Sequence, residues 1–181
     1  MRLTPTIALI LLILFGMACS KKKSADPDVV ISIEDLLVEN NEITGWTYSL
    51  TNWVANNYTE LLNNINGLAP IYQRHGFVEA AHQSYEGSIG SGTREIQITI
   101  YNMDSESNAS DTYDDPDVGL SGAIDWADGA GVRAHYVRHG GYQVLTFYSS
   151  SYFVYIGLDY DTDESLNIIK QFALNIDGKI Q

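Results

Sequence analysis

The chain predicts an α+β domain in which a mainly antiparallel sheet of about six strands has about three helices packed against it. Three observations carry this. Ile96, Ile98 and Ile100 alternate with Glu95, Gln97 and Thr99, the period of a strand with two unlike faces. From Gly122 to Leu158 short β-branched and aromatic runs are separated by glycine or serine turns, the pattern of a meander. Two segments, one before and one after these strands, repeat apolar residues at helical spacing. Strands that run together and are closed over by helices imply α+β, with helices on one face or on both.

Taken in order, Ile43 to Val54 holds Trp46, Tyr48 and Leu50 and reads in part as an edge strand. A helix is expected with Thr59 as N-cap and Glu60 in its first turn, burying Leu61, Ile65, Leu68 or Ala69, and Tyr72 before Gly76. Pro70 interrupts it, and an interior proline costs about 3 kcal/mol, so a break near Gly67 with Pro70 opening a second short helix is expected. Two strands follow, about 77–85 and 95–103, joined by a loop from Gly87 to Thr93. Asp104 then caps a short helix over 105–113, which gives way to the acidic stretch Asp114 to Gly119. The meander comprises 123–127, 132–138, 142–148 and 152–158. A last helix begins at Asp161 with Glu164 as its capping-box partner, buries Leu166, Ile169, Ala173 and Ile176, and stops before Gly178.

Arg2 and the apolar run Ile7 to Phe15, closing on Gly16-Met17-Ala18-Cys19, read as an export signal. The run is too short for a bilayer, which takes about 20 apolar residues. Gly-Met-Ala-Cys resembles the bacterial lipobox, with Gly16 where Leu is most common, and the resemblance implies lipidation at Cys19. The expected organisation is therefore a signal peptide at 1–18, the lipidated Cys19 with a linker to residue 28, and one globular domain over 29–181. More than one acyl chain on Cys19, at about 0.8 kcal/mol per buried methylene, would hold the protein in a membrane facing periplasm or cell exterior. Cys19 is the only cysteine, so its acylation would leave no disulfide, cysteine-zinc site or thiol nucleophile.

Residues 24–181 carry six Lys and Arg against all 23 carboxylates, a net −17. Such a field repels phosphate backbones and makes nucleic acid a poor partner. Lys21, Lys22 and Lys23 sit beside the anchor, where they read as a solvated linker or as contacts to anionic headgroups.

Gly45-Trp46, Ile65-Asn66-Gly67-Leu68-Ala69 with Tyr72 and Gly76-Phe77, and Tyr101-Asn102-Met103 with Ala109 together resemble a group of secreted or lipid-anchored bacterial proteins classed as a domain of unknown function. The resemblance spans about Gly45 to the last helix, and Pro70 and Ser110 stand where an acidic and an aromatic residue are usual. It implies a fold and carries over no catalytic residue.

The candidate chemistry is sparse. His135 and His139 lie four apart on a strand and so share a face, and they are weak metal candidates needing a third ligand from His82, Asp125 or Asp128. Histidines beside a Gly-Gly turn read first as structural. Asp159 to Asp163 begins like a calcium loop but has Glu164 where that loop needs Gly and Lys170 where it needs a bidentate acid. Asp111, Asp114, Asp115 and Asp117 could hold a weak surface calcium but read first as a solvated acidic loop. Gly129-Ala130-Gly131 precedes a strand, not the helix of a dinucleotide site, and Gly87 to Gly92 lacks the Lys-Ser/Thr of a phosphate loop. No cofactor is expected. Twelve tyrosines and three tryptophans fall beyond the anchor, and their amphipathic rings suit sugar faces and protein interfaces as well as sheet packing. Asn66, Tyr72, Tyr136 and Tyr148 are the candidate binding residues, Asn66 because Asn-Gly within a helical pattern marks a break or an exposed backbone. The expectation is a non-catalytic envelope module with a carbohydrate or protein partner. Its alternative is a metal-dependent or carboxylate-based hydrolase of the cell envelope using the carboxylates near Asp125 and Asp128 with His135 or His139.

Overall fold

Seven strands pair antiparallel throughout in the order β1-β2-β3-β7-β6-β5-β4. The computed structural model describes residues 31–181; the expected signal peptide, Cys19 and the linker lie outside them. The strands are β1 (Thr47–Ala55), β2 (Glu79–Ile89), β3 (Gly92–Asn102), β4 (Ile124–Asp125), β5 (Arg133–His139), β6 (Tyr142–Ser149) and β7 (Tyr152–Leu158). The helices are α1 (Tyr58–Ile65), α2 (Ala69–Arg74), α3 (Glu106–Asp114) and α4 (Asp163–Ile180). One meander, β1-β2-β3, meets a second, β4-β5-β6-β7, along the β3/β7 seam, and α3 takes the chain from β3 toward the far edge.

The α+β class stands, with seven strands instead of about six. β4 is a two-residue strand, too short for an alternation to mark its extent. β1 is an edge strand, as its composition suggested, and three of its residues, Ser49 to Thr51, bulge between the Tyr48/Tyr85 and Asn52/Gln83 pairs. A bulge of this kind makes an open edge a poor template for another strand.

Helices lie on both faces. On the first, Ile96, Ile98, Ile100, Val154, Ile156, Leu145 and Phe147 are fully buried with Ile169, Phe172, Ala173 and Ile176 of α4. A 3-10 turn at Ile33–Leu36 adds Ile33 and Leu36 to this core. On the second, Tyr101, Phe153, Tyr148 and Ala80 pack with Leu61 and Tyr72 of α1 and α2 and with Ala109 and Tyr113 of α3. Of the two positions between the isoleucines of β3, Gln97 is exposed as its alternation implies, whereas Thr99 is only 6% exposed beneath the second layer.

Four local expectations are corrected. The cap of α1 is Asn57, not Thr59: its Oδ1 accepts the Glu60 amide at 3.1 Å, while Glu60 Oε2 accepts the Asn56 amide at 2.7 Å. Ser105 and not Asp104 caps α3, because an N-cap needs extended backbone and Asp104 sits at φ 69°. Thr162 and Ser165 form the capping box of α4, since Asp161 instead accepts Arg138 Nε at 2.6 Å and Gln143 Nε2 at 2.9 Å. That helix also runs through Gly178, its last turn held by Lys179 Nζ donating to Leu37 O at 2.6 Å and Glu42 Oε2 at 2.8 Å.

The Gly87 to Thr93 loop shrinks to Gly90 and Ser91, with Ile89 paired to Gly92. Gly87 is there for packing: a Cβ on it would lie 2.4 Å from the Trp46 indole. The break at Asn66–Leu68 and the start of α2 with Pro70 in its first turn follow the sequence reading. No helix among the described residues is long and apolar enough to cross a membrane.

Candidate functional site

Strand register places one residue of every strand in a single row across the second face. Trp53 pairs with His82, His82 with Thr99, Thr99 with Tyr155, Tyr155 with Thr146, Thr146 with His135, and His135 with Asp125. α1 and α2 overhang the Trp53 end and α3 overhangs the His135 end, so the row runs between two overhangs.

At the first end the sheet and the α1–α2 break enclose a cleft of about 390 Å³. Trp53, Tyr72, Tyr101 and Tyr155 give it aromatic walls, and Asn64, His82, Gln97 and Thr99 give it polar groups. The half-exposed Leu68 forms its lip, two residues beyond Asn66, whose φ of 51° turns the chain out of α1. Trp53 stacks on the imidazole of His82 at 5.2 Å and 4°, and Tyr72 stacks on Tyr101 at 4.0 Å and 7°. His82 is buried, and desolvation pushes it below the ordinary histidine value, opposed by the Glu95 carboxylate. Burial likewise raises Tyr101 to about 12. None of the eleven lining residues carries a formal charge when His82 is neutral.

The opposite end is built differently. His135 stacks on Tyr113 of α3 at 4.3 Å and 27°, and its buried Nε2 has no partner. Desolvation lowers its pKa, and the facing Asp125 carboxylate opposes the shift. A hollow of about 490 Å³ opens beside it, lined by Tyr113 and the 125–134 segment. Asp125 and Asp128 both border this hollow, and Arg133 spans from Asp114 Oδ2 at 2.8 Å to the face of Tyr113 at 4.7 Å. The register thus joins Asp125 to His135, as the hydrolase alternative requires. His139 lies at the far end of β5, tilted over Tyr142. The hollow's lining contains no serine, threonine or cysteine, and among the described residues no three His, Cys, Asp or Glu converge on a common point.

Of the four candidate binding residues, Tyr72 lines the cleft and Asn66 adjoins its lip. Tyr148 is 5% exposed beneath Tyr113 on the same face but outside the cleft. Tyr136 belongs to the other face, where Lys170 Nζ lies 4.7 Å over its ring. Trp53, His82, Thr99 and Tyr155 complete the cleft. Period two on β3 carried the signal for Thr99, but an outward position there meets a second packed layer instead of water.

The acidic stretch is not uniformly solvated. Asp115 is 6% exposed and accepts from Arg74, from His75 Nε2 at 2.6 Å and from the Asp117 amide at 2.9 Å. This clasp ties the end of α2 to the end of α3 and so helps set the outer wall of the cleft. No known protein family, no curated protein and no solved structure matches the chain.

Proposed function

We propose that this chain is a lipid-anchored, non-catalytic module of the bacterial envelope that binds a carbohydrate in the cleft between α1–α2 and the sheet. The observation that carries the reading is the cleft's lining: four aromatic rings beside neutral amide, hydroxyl and imidazole groups. Aromatic faces cover the apolar faces of a sugar ring, while amides and hydroxyls pair with its hydroxyls. The uncharged lining and the net −17 of residues 24–181 disfavour a polyanion. The anchor rests on Arg2, the apolar run and Cys19.

Thermal melting of the protein with neutral glycans, calcium, zinc and EDTA tests the binding reading. A sugar at 100 times its dissociation constant should add about 2.7 kcal/mol, an effect expected to vanish in Trp53→Ala. Stabilisation by a metal alone would contradict it and favour the Asp125/His135 end. For the anchor, intact mass of the membrane form should correspond to a chain starting at acylated Cys19; a chain retaining Met1, or one without acyl mass, would refute it.

A further inference from the structure

From the cleft floor along the same face of β2 and β3, four side chains lie in sequence, Thr99 and His82 in the cleft and Ser84 and Glu95 beyond it, and the carboxylate at one end can set the direction of each hydrogen bond. Glu95 accepts from Ser49 Oγ at 3.1 Å, Gln97 Nε2 at 3.0 Å and Ser84 Oγ at 3.3 Å. An ionised carboxylate only accepts, so the single proton of Ser84 goes to it, leaving the Ser84 oxygen as an acceptor. The group next to that oxygen is His82 Nε2, at 3.5 Å. In the order that this carboxylate favours, Nε2 carries the ring proton and Nδ1 is bare. Thr99 Oγ1 lies 2.9 Å from Nδ1 and must donate its own proton there. A threonine whose proton is used offers only lone pairs to anything else that approaches.

We propose that the ordered chain Thr99 to His82 to Ser84 to Glu95 turns the cleft floor into a hydrogen-bond acceptor, so that the cleft selects sugars presenting a free hydroxyl there and rejects ether or carbonyl groups at that point. The inference rests on the carbohydrate reading of the cleft. Three of its members are buried, Ser84 fully, Thr99 at 6% and His82 at 9% exposed, stacking on Trp53 holds the imidazole plane, and the partly exposed Glu95 is held by its three donors. Desolvation of His82 supports a neutral ring at pH 7, without which Nδ1 would be a donor. In the opposite order, with the ring proton on Nδ1, Ser84 would have to turn from a carboxylate to a neutral nitrogen, the weaker acceptor.

Two measurements on the mature protein in detergent micelles decide it. Long-range proton–nitrogen spectra of His82 should show Nε2 protonated and Nδ1 bare, and in Ser84→Ala or Glu95→Ala the other tautomer should gain a measurable share. A proton on Nδ1 in the wild type, an imidazolium at pH 7, or a single unchanged tautomer in both variants would overturn the ordering. Titration with cellotriose and maltotriose, each beside its per-O-methylated form, reads the selectivity. The methylated sugars should bind at least tenfold more weakly, and Thr99→Val should cost about tenfold in affinity for the free sugars while the fold is kept. Equal affinity for methylated and free sugars would refute the selectivity. If no sugar binds, the carbohydrate reading fails while the spectra still judge the ordering.

Discussion

Replacing Phe172 by Ala should lower unfolding stability by about 3–5 kcal/mol. The ring is fully buried on α4, edge-on to Trp46 at 5.7 Å and to Tyr85 at 5.1 Å, and it lies in the core that joins the sheet's first face to the segment around Trp46. Its removal leaves a void whose walls belong to three separate elements, which limits collapse around it. The midpoint of thermal unfolding should fall by about 10 °C or more. Urea unfolding of the wild type and variant supplies the free energy. A loss below about 1 kcal/mol would mean that this core is not packed as described.

Asp115→Asn should have the largest effect among the polar contacts of the second face, costing about 2 kcal/mol at pH 7. Asparagine retains one acceptor but removes the charge that Arg74 and His75 share. The figure is held down because the Arg74 side chain is 56% exposed and its half of the pair is screened by solvent. The His75 contact, the Asp117 amide and the Arg74 guanidinium together hold the Asp115 carboxyl down at about 2, against an ordinary value of 3.8. A carboxyl depressed in the folded state stabilises above its unfolded pKa and loses that contribution as pH falls through its folded one. The wild type should therefore lose this increment between about pH 4 and pH 2, and Asp115→Asn should lack that part of its acid transition. Urea midpoints measured across that range test it. A variant with an unaltered acid limb would remove Asp115 from the account.

Much of the fold was legible because its strands repeat with period two and its turns carry glycine or serine pairs. The caps were less legible. Thr59, Asp104 and Asp161 are all chemically suitable, and each lost to a neighbour for a tertiary or backbone reason: Asn57 reaches the N3 amide, Asp104 takes a left-handed turn, and Asp161 is occupied by Arg138. The site was less legible still. Sequence spacing placed Tyr136 and Tyr148 on strands, but only register reveals that they lie on opposite faces. No local pattern joins Trp53 to Thr99, since they are two strands apart across β2 and meet through His82. The Asp115 clasp was hidden for a similar reason, its partners lying about 40 positions earlier on α2 and the residue after it.

The most direct test of the cleft as a carbohydrate site is a backbone amide shift titration of the protein with cellotriose and maltotriose. Perturbations should cluster at Trp53, Asn64, Leu68, Thr99 and Tyr155, saturate with added sugar and be absent in Trp53→Ala. Perturbations centred on the 125–134 segment and His135, or none at saturating sugar, would contradict it.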